Sequence, residues 1–200
     1  ETRALLTEEN ELVRAETALR KQQAEIEEKS RLYDQIASLL APKFEKMEAL
    51  LNQGDAALPL VCVIGAFVKR RSNLALICEG ERSVSIDELT YCIRESLEYL
   101  EGCGVVCALT ASISGAKTDG TVLQTAYDFF EDCVETALPA LSALMVRLSG
   151  ADGFSIRLMM QDADALPDAS VYAECGRLTI DEEDGASCLT LFCPAGGEQP

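Results

Sequence analysis

Leu5, Leu12, Leu19, Ile26, Tyr33, Leu40 and Met47 fall seven residues apart without a break. A seven-residue apolar repeat keeps one seam of a helix against a partner helix under a left-handed supercoil. The companion column three residues on is partly polar: Glu8, Ala15, Gln22, Lys29, Ile36, Lys43, Leu50. The pattern predicts a long helix over residues 1–53 whose seam meets another copy of the chain. A long helix packed on its own domain is the other reading. Pro42 falls inside it, and proline removes a backbone donor and crowds the preceding turn, so a kink or local break is expected there. Asn52, Gly54 and Asp55 mark a turn. A second helix is predicted from about Ala56 to Cys78. It is apolar on nearly every face from Leu58 to Val68, then basic at Lys69, Arg70 and Arg71. Such a helix is expected to be buried between helices. Two hairpins of this kind would make a four-helix bundle with two-fold symmetry.

After residue 82 the pattern changes. Ser85-Ile-Asp-Glu88 reads as a capping box opening a helix to about Leu100, closed by Gly102. Val105–Ser112 is strand-like. Thr121-Val-Leu-Gln124 reads as a second capping box, opening a helix to about Leu138 that Pro139 stops. Strands follow at Ala143–Ser149 and Phe154–Gln161, joined across Asp152-Gly153. Two more, Arg177–Asp181 and Cys188–Cys193, are joined across Asp184-Gly185. Asp-Gly between alternating apolar runs signals a hairpin. Residues 81–194 therefore read as helices laid on one face of a mostly antiparallel sheet, an α+β architecture.

Composition narrows the function. The chain carries 34 acidic and 17 basic residues, which argues against nucleic acid and anionic membrane surfaces as partners. No apolar run reaches the roughly 18 residues of a membrane span. The chain has neither an initiator Met nor a signal peptide, and it is expected to be a piece of something longer, with another domain before it. Nine cysteines are scattered through apolar segments without CxxC spacing. Buried reduced thiols in a cytoplasmic protein are expected, with no metal site. There is no histidine. This chain can therefore supply no phosphohistidine, no histidine base and no histidine ligand.

A helical hairpin followed by this order of elements resembles the sensor histidine kinases and the wider GHKL ATPase superfamily. The segment VYAECGRLTIDEEDGASCLTLFCP resembles the close of a kinase catalytic domain, with Gly176, Leu178, Gly185 and Pro194 at matching positions. RLYDQIASLLAP resembles a phospho-acceptor helix reading Arg-Ile-Ala-Arg-Glu-Leu-His-Asp. Ile36 and Ala37 match, and Ala41 stands where the histidine would be, so no catalytic residue is assigned.

The resemblance places a degenerate nucleotide pocket at Glu131, Asp132, Thr136, Asp162, Asp164 and Gly176. Ala126–Leu138 would be the magnesium-binding helix. Thr136 stands where its asparagine belongs, and a hydroxyl is a poorer stand-in for an amide oxygen on Mg²⁺. An ordinary amphipathic helix with a solvated acidic edge is the plainer reading. Asp162 can take the adenine-reading position, but Asp164 and Leu166 replace glycines that let backbone approach the nucleotide. The family's flexible nucleotide lid is not found before the next short helix. From Met160 to Asp184 the chain holds eight acidic residues and one basic, Arg177, which repels a triphosphate.

The expected architecture is a helical dimerisation hairpin over residues 1–80 and a degenerate histidine-kinase-type ATPase-like sandwich lacking the lid over residues 81–200. The first functional reading is a pseudokinase: a dimeric signalling or scaffold module of a two-component-type pathway. It would meet a response-regulator-like partner and need no cofactor. It would be cytoplasmic, in one reading as the cytosolic part of a membrane-anchored sensor. The second is a divergent kinase that binds ATP and Mg²⁺ and phosphorylates another target. The third is a purely structural coiled-coil dimeriser.

Overall fold

No glycine precedes Gly54, and one helix, α1, runs from Thr2 to Leu51. The computed structural model describes residues 2–80, 83–112, 115–150, 153–172 and 175–194. By its internal contacts the chain divides into two units, Glu1–Ala41 and Pro42–Pro200. The local break expected at Pro42 is absent, because the residues on both sides stay helical.

In the first unit, Leu19, Ile26 and Tyr33 are exposed, at 65, 60 and 58%. The side chains of Leu5 and Leu12 lie outside the described residues. Leu40 is buried, and Met47, beyond the division, is half-buried. The outer faces carry i,i+4 pairs such as Arg20 with Glu16 at 2.6 Å. Such exposed pairs are each worth only a few tenths of a kcal/mol.

The second unit opens with the last turns of α1 and a 3-10 turn at Asp55–Ala57. Then follow α2 (Leu58–Gly80), β1 (Ser83–Ser85), α3 (Ile86–Gly102), β2 (Val106–Ser112), β3 (Lys117–Asp119) and α4 (Gly120–Ala137). Strands β4 (Ala143–Ser149), β5 (Gly153–Gln161), β6 (Arg177–Glu183) and β7 (Ala186–Pro194) complete it. A 3-10 turn at Ala169–Tyr172 lies between β5 and β6. The five-stranded sheet has the order β2-β4-β5-β7-β6, with β2 and β4 parallel and the other neighbours antiparallel. β1 and β3 form a separate antiparallel ribbon that the sequence pattern did not reveal.

The ends of the helices correct two expectations. Ser85 does cap α3, its Oγ accepting from the Asp87 N–H at 3.2 Å. The chain leaves that helix at Gly104, whose φ of +90° suits a glycine, while Gly102 is still helical. The cap of α4 is Asp119 and not Thr121. Its Oδ1 accepts from the Thr121 N–H at 2.8 Å and from the Thr121 hydroxyl at 2.6 Å. A carboxylate two residues upstream reaches the orphan amide and takes the hydroxyl as well. The β6–β7 hairpin turns on Asp184 and Gly185, with φ of +52° and +79°, as a type I′ turn requires. Asp152 of the other predicted turn lies outside the described residues.

The core lies between the inner face of the sheet and the helices. Leu144, Val146 and Leu148 of β4 alternate inward, as do Ile156, Leu158 and Met160 of β5. α4 presents Leu123, Tyr127, Phe130 and Val134 at helical spacing, all fully buried. Phe67 of α2 packs on Tyr127 with ring centroids 5.2 Å apart. The Tyr127 hydroxyl shares a hydrogen bond of 2.9 Å with Ser96 of α3. Within one chain α2 is enclosed in part. It packs on α3 and α4, with Ile64, Phe67 and Leu74 buried, and leaves Leu58, Cys62, Leu76 and Ile77 at least partly exposed.

The Asp119 cap has a measurable consequence. Asp119→Ala is expected to lower stability by about 1 kcal/mol in urea unfolding. Thr121→Val, which keeps the capped amide, should cost less. The reverse order would return the cap to Thr121.

Candidate functional site

α4 brings Glu131, Asp132 and Thr136 together, and two other segments close over them. The Lys43 Nζ lies 2.6 Å from Glu135 Oε1 and 3.4 Å from Asp132 Oδ1. It also stands 5.1 Å from the centre of the Phe67 ring. Lys46 forms a second ion pair with Glu135. From the 3-10 turn after β5, the Tyr172 hydroxyl donates to Asp132 Oδ2 at 2.5 Å. The Tyr172 ring meets Phe129 edge-on, with centroids 5.3 Å apart. Thr136 gives its hydroxyl to the Asp132 carbonyl at 2.8 Å, inside its own helix. Beside this cluster, Arg71 of α2 holds Asp128 through Nε at 2.7 Å and Nη2 at 3.1 Å, and Gln124 through Nη1 at 2.8 Å.

Glu131 is the anomaly. It is 0% exposed, and neither carboxylate oxygen has a hydrogen-bond partner among the described residues. An unpaired carboxylate cannot be held dry, so the group is kept as the neutral acid. Burial pushes its pKa well above the usual glutamate value, against the pull of Lys43, and Glu135 and Asp132 push it further. For Lys43, burial alone would lower the pKa, but the Glu135 hydrogen bond and the charges of Glu135 and Asp132 raise it. Tyr172 is raised by burial and then by its bond to the Asp132 carboxylate. Asp128 is raised by burial despite the Arg71 pair. These cations are consumed by carboxylates, and the tyrosine proton is firmly held. The cluster is closed and internally paired, apart from Glu131.

The other residues singled out from sequence lie elsewhere. Asp162 is exposed with φ +60°, and its carboxylate accepts from the Ser142 hydroxyl just before β4. It makes no hydrogen bond to the α4 cluster among the described residues. Asp164 is exposed. A Cβ on Gly176 would stand 2.3 Å from the Phe192 carbonyl oxygen, so this glycine is required by the close approach of β7. Ala41 is an exposed residue of the first unit. Lys43, Glu135 and Tyr172 were not foreseen. Their signals were a lysine standing in the companion column of the repeat and one aromatic residue inside an acidic stretch.

A separate open pocket of about 410 Å³ lies where the α1–α2 turn meets the ends of α3 and α4. Leu50, Leu60, Cys103, Leu138 and Pro139 help line it, and none of the foreseen site residues does. Among the described residues no cluster of Cys, Asp and Glu is placed to hold a metal ion, and no helix is long and apolar enough to cross a membrane.

No protein-family model and no curated protein matches the sequence. Solved structures do match the fold. The histidine kinase domain of the Erythrobacter litoralis EL346 blue-light activated histidine kinase superposes with a TM-score of 0.55 at 10% identity, over 80% of this chain and 84% of that one. The Acinetobacter baumannii histidine kinase AdeS gives 0.45 at 10% identity, over 79% and 98%. The catalytic domain of histidine kinase ThkA gives 0.44 at 10% identity, over 56% and 94%. The first of these carries the comparison. The chain has the α+β fold of a histidine kinase domain, with a long N-terminal helix and a mixed five-stranded sheet.

The neutral state of Glu131 sets a pH dependence. The folded chain binds the Glu131 proton more tightly than the unfolded chain, where glutamate titrates near about 4.3. The stability gained is complete below that pH and is lost as pH rises through the raised folded value. Glu131→Gln keeps a neutral side chain of the same shape. In urea unfolding, the E131Q chain should therefore gain on the parent chain steadily as pH rises from 5 to 8. Parallel profiles would mean that Glu131 is not held neutral.

Proposed function

We propose that this chain is a histidine-kinase-like signalling module that works by binding and not by phosphotransfer. Residues 1–80 serve as the helical dimerisation part and residues 81–200 as a degenerate ATPase-like part. The observation that carries the reading is Tyr172. In the resemblance drawn from sequence, α4 is the helix that faces the nucleotide and its magnesium. Here Tyr172 covers that helix, taking Phe129 with its ring and Asp132 with its hydroxyl. Asp132 is further engaged by Lys43, and Thr136 by its own backbone. A nucleotide would have to displace a tyrosine that is only 7% exposed. From Met160 to Asp184 the sequence adds eight acidic residues and one basic, Arg177, which disfavours a triphosphate. These residues do not fit ATP and Mg²⁺.

The absence of histidine from the sequence removes the phospho-acceptor independently. What remains is a fold suited to passing a conformational signal between its helices and a protein partner. A second copy, joined through α1, and a response-regulator-like protein are the partners proposed. Nine free thiols suit a reducing, cytoplasmic setting.

Calorimetric titration with ATP and ADP, with and without Mg²⁺, tests the loss of nucleotide binding. No heat and no thermal shift at millimolar nucleotide are expected. Saturable micromolar binding that disappears in Asp162→Ala would overturn the reading and make the chain a divergent kinase. Dimerisation is tested separately by sedimentation. The mass should be that of a dimer, and Ile26→Asp, in the exposed seam, should weaken association at least about tenfold. A parent chain that sediments as a monomer would remove the scaffold from the proposal.

A further inference from the structure

The outward face of the sheet differs from the rest of the molecule. Its residues alternate with the buried Leu144, Val146 and Leu148, and strand pairing sets them side by side. Val106 lies beside Ala143, Met145 beside Met159, and Arg147 beside Arg157. Val106 is 72% exposed and Met145 38%. Scattered exposed apolar residues need no explanation. Arginine placed directly opposite arginine does, because like charges at paired positions destabilise a sheet. Arg157 is compensated by Glu183 at 2.6 Å and Asp181 at 3.7 Å on β6. No described residue forms an ion pair with Arg147, which is exposed. Arg177 belongs to the same face, its guanidinium 5.5 Å from the Phe192 ring centre. A chain with twice as many acids as bases thus gathers three arginines on one sheet face, beside a strip of methionine and valine.

Size and charge select the occupant. Five strands about 4.8 Å apart and some 20 Å long present roughly 480 Å². A stable globular interface needs about 800 Å² per partner. The face therefore suits a short segment. A second copy packed here by two-fold symmetry would set two arginine-bearing faces against each other. A phosphate chain, charged at every unit, would meet Asp181 and Glu183 beside the arginines, whereas a protein segment can set carboxylates only opposite Arg147 and Arg177.

We propose that this face binds a short acidic amphipathic segment of a partner protein. Its apolar residues lie on Val106, Met145 and Met159, and its carboxylates pair with Arg147 and Arg177. Methionine side chains adapt to varied apolar shapes, and arginine forks hold carboxylates in a fixed geometry. Binding also removes the standing conflict between Arg147 and Arg157. This inference does not depend on whether nucleotide is bound.

Fluorescence anisotropy of the full chain with a labelled glutamate-rich peptide, bearing leucines at helical spacing, provides the test. Saturable micromolar binding is expected, weakened about tenfold by Arg147→Glu and by the pair Val106→Ser with Met145→Gln. Arg147→Glu would face Arg157 as an opposite charge, so the variant should stay folded, and its thermal midpoint checks this. Lys21→Glu makes the same change in net charge on α1 and should leave binding unchanged. Any one of four results overturns the proposal: no saturation at millimolar peptide, equal binding by the Arg147→Glu chain, equal binding of a peptide with lysine for glutamate, or a lowered oligomer mass in Arg147→Glu.

Discussion

α4 is buried along almost its whole length, and the second unit is organised by what that burial requires. Its apolar side takes Tyr127, Phe129 and Phe130 out of water, each a large contribution to the core. Those residues fix the helix axially and rotationally, and Glu131 follows them into the interior as the next residue in the chain. An unpaired neutral carboxyl costs about 1–3 kcal/mol to bury. Loss of one of the flanking phenylalanines would cost about 3–5 kcal/mol. The aromatic burial wins, so the helix keeps its orientation and the acid is protonated. Asp132 and Glu135, one step round, fall at the boundary and draw in Lys43, Lys46 and Tyr172.

The polar groups of α4 are held by the same packing. Here Asp132 is held by a tyrosine and a lysine, Glu135 by two lysines, and Thr136 by its own helix. Each bond contributes to the fold and fixes the group that makes it. At 10% identity the layers survive, because they depend on the period of apolar residues and not on their names.

Much of the fold was legible for that reason. The alternation of β4, β5 and β7 is a period-two signal read directly from the residues, and Asp184-Gly185 demanded a tight hairpin. The failures came where partners outside the local window decide. Asp119 and Thr121 are both good caps, and only the folded geometry shows that the hydroxyl is spent on the carboxylate. The β1–β3 ribbon pairs three-residue strands from distant stretches, too short to leave a pattern. In the site, the acids of α4 could be seen, but Tyr172 and Lys43 join them from about 40 and 90 residues away. Gly176 was placed by resemblance alone, and the structure gives it a packing reason in the Phe192 carbonyl.

Taken with the buried cluster, the two faces of the sheet divide the work of the domain. The inner face is apolar, and its registers leave no freedom, since a shift of one residue would turn Leu144, Val146 and Leu148 to solvent. The outer face is not constrained by the core, so its composition reflects solubility or contact. Solubility alone would favour lysine and glutamate scattered with both signs. Arginine opposite arginine, beside methionine opposite methionine, serves that purpose poorly. The arrangement makes physical sense when something acidic and partly apolar lies across it. In a fold whose α4 acids are engaged by Tyr172 and Lys43, the open sheet face is the surface left for a partner of the proposed kind.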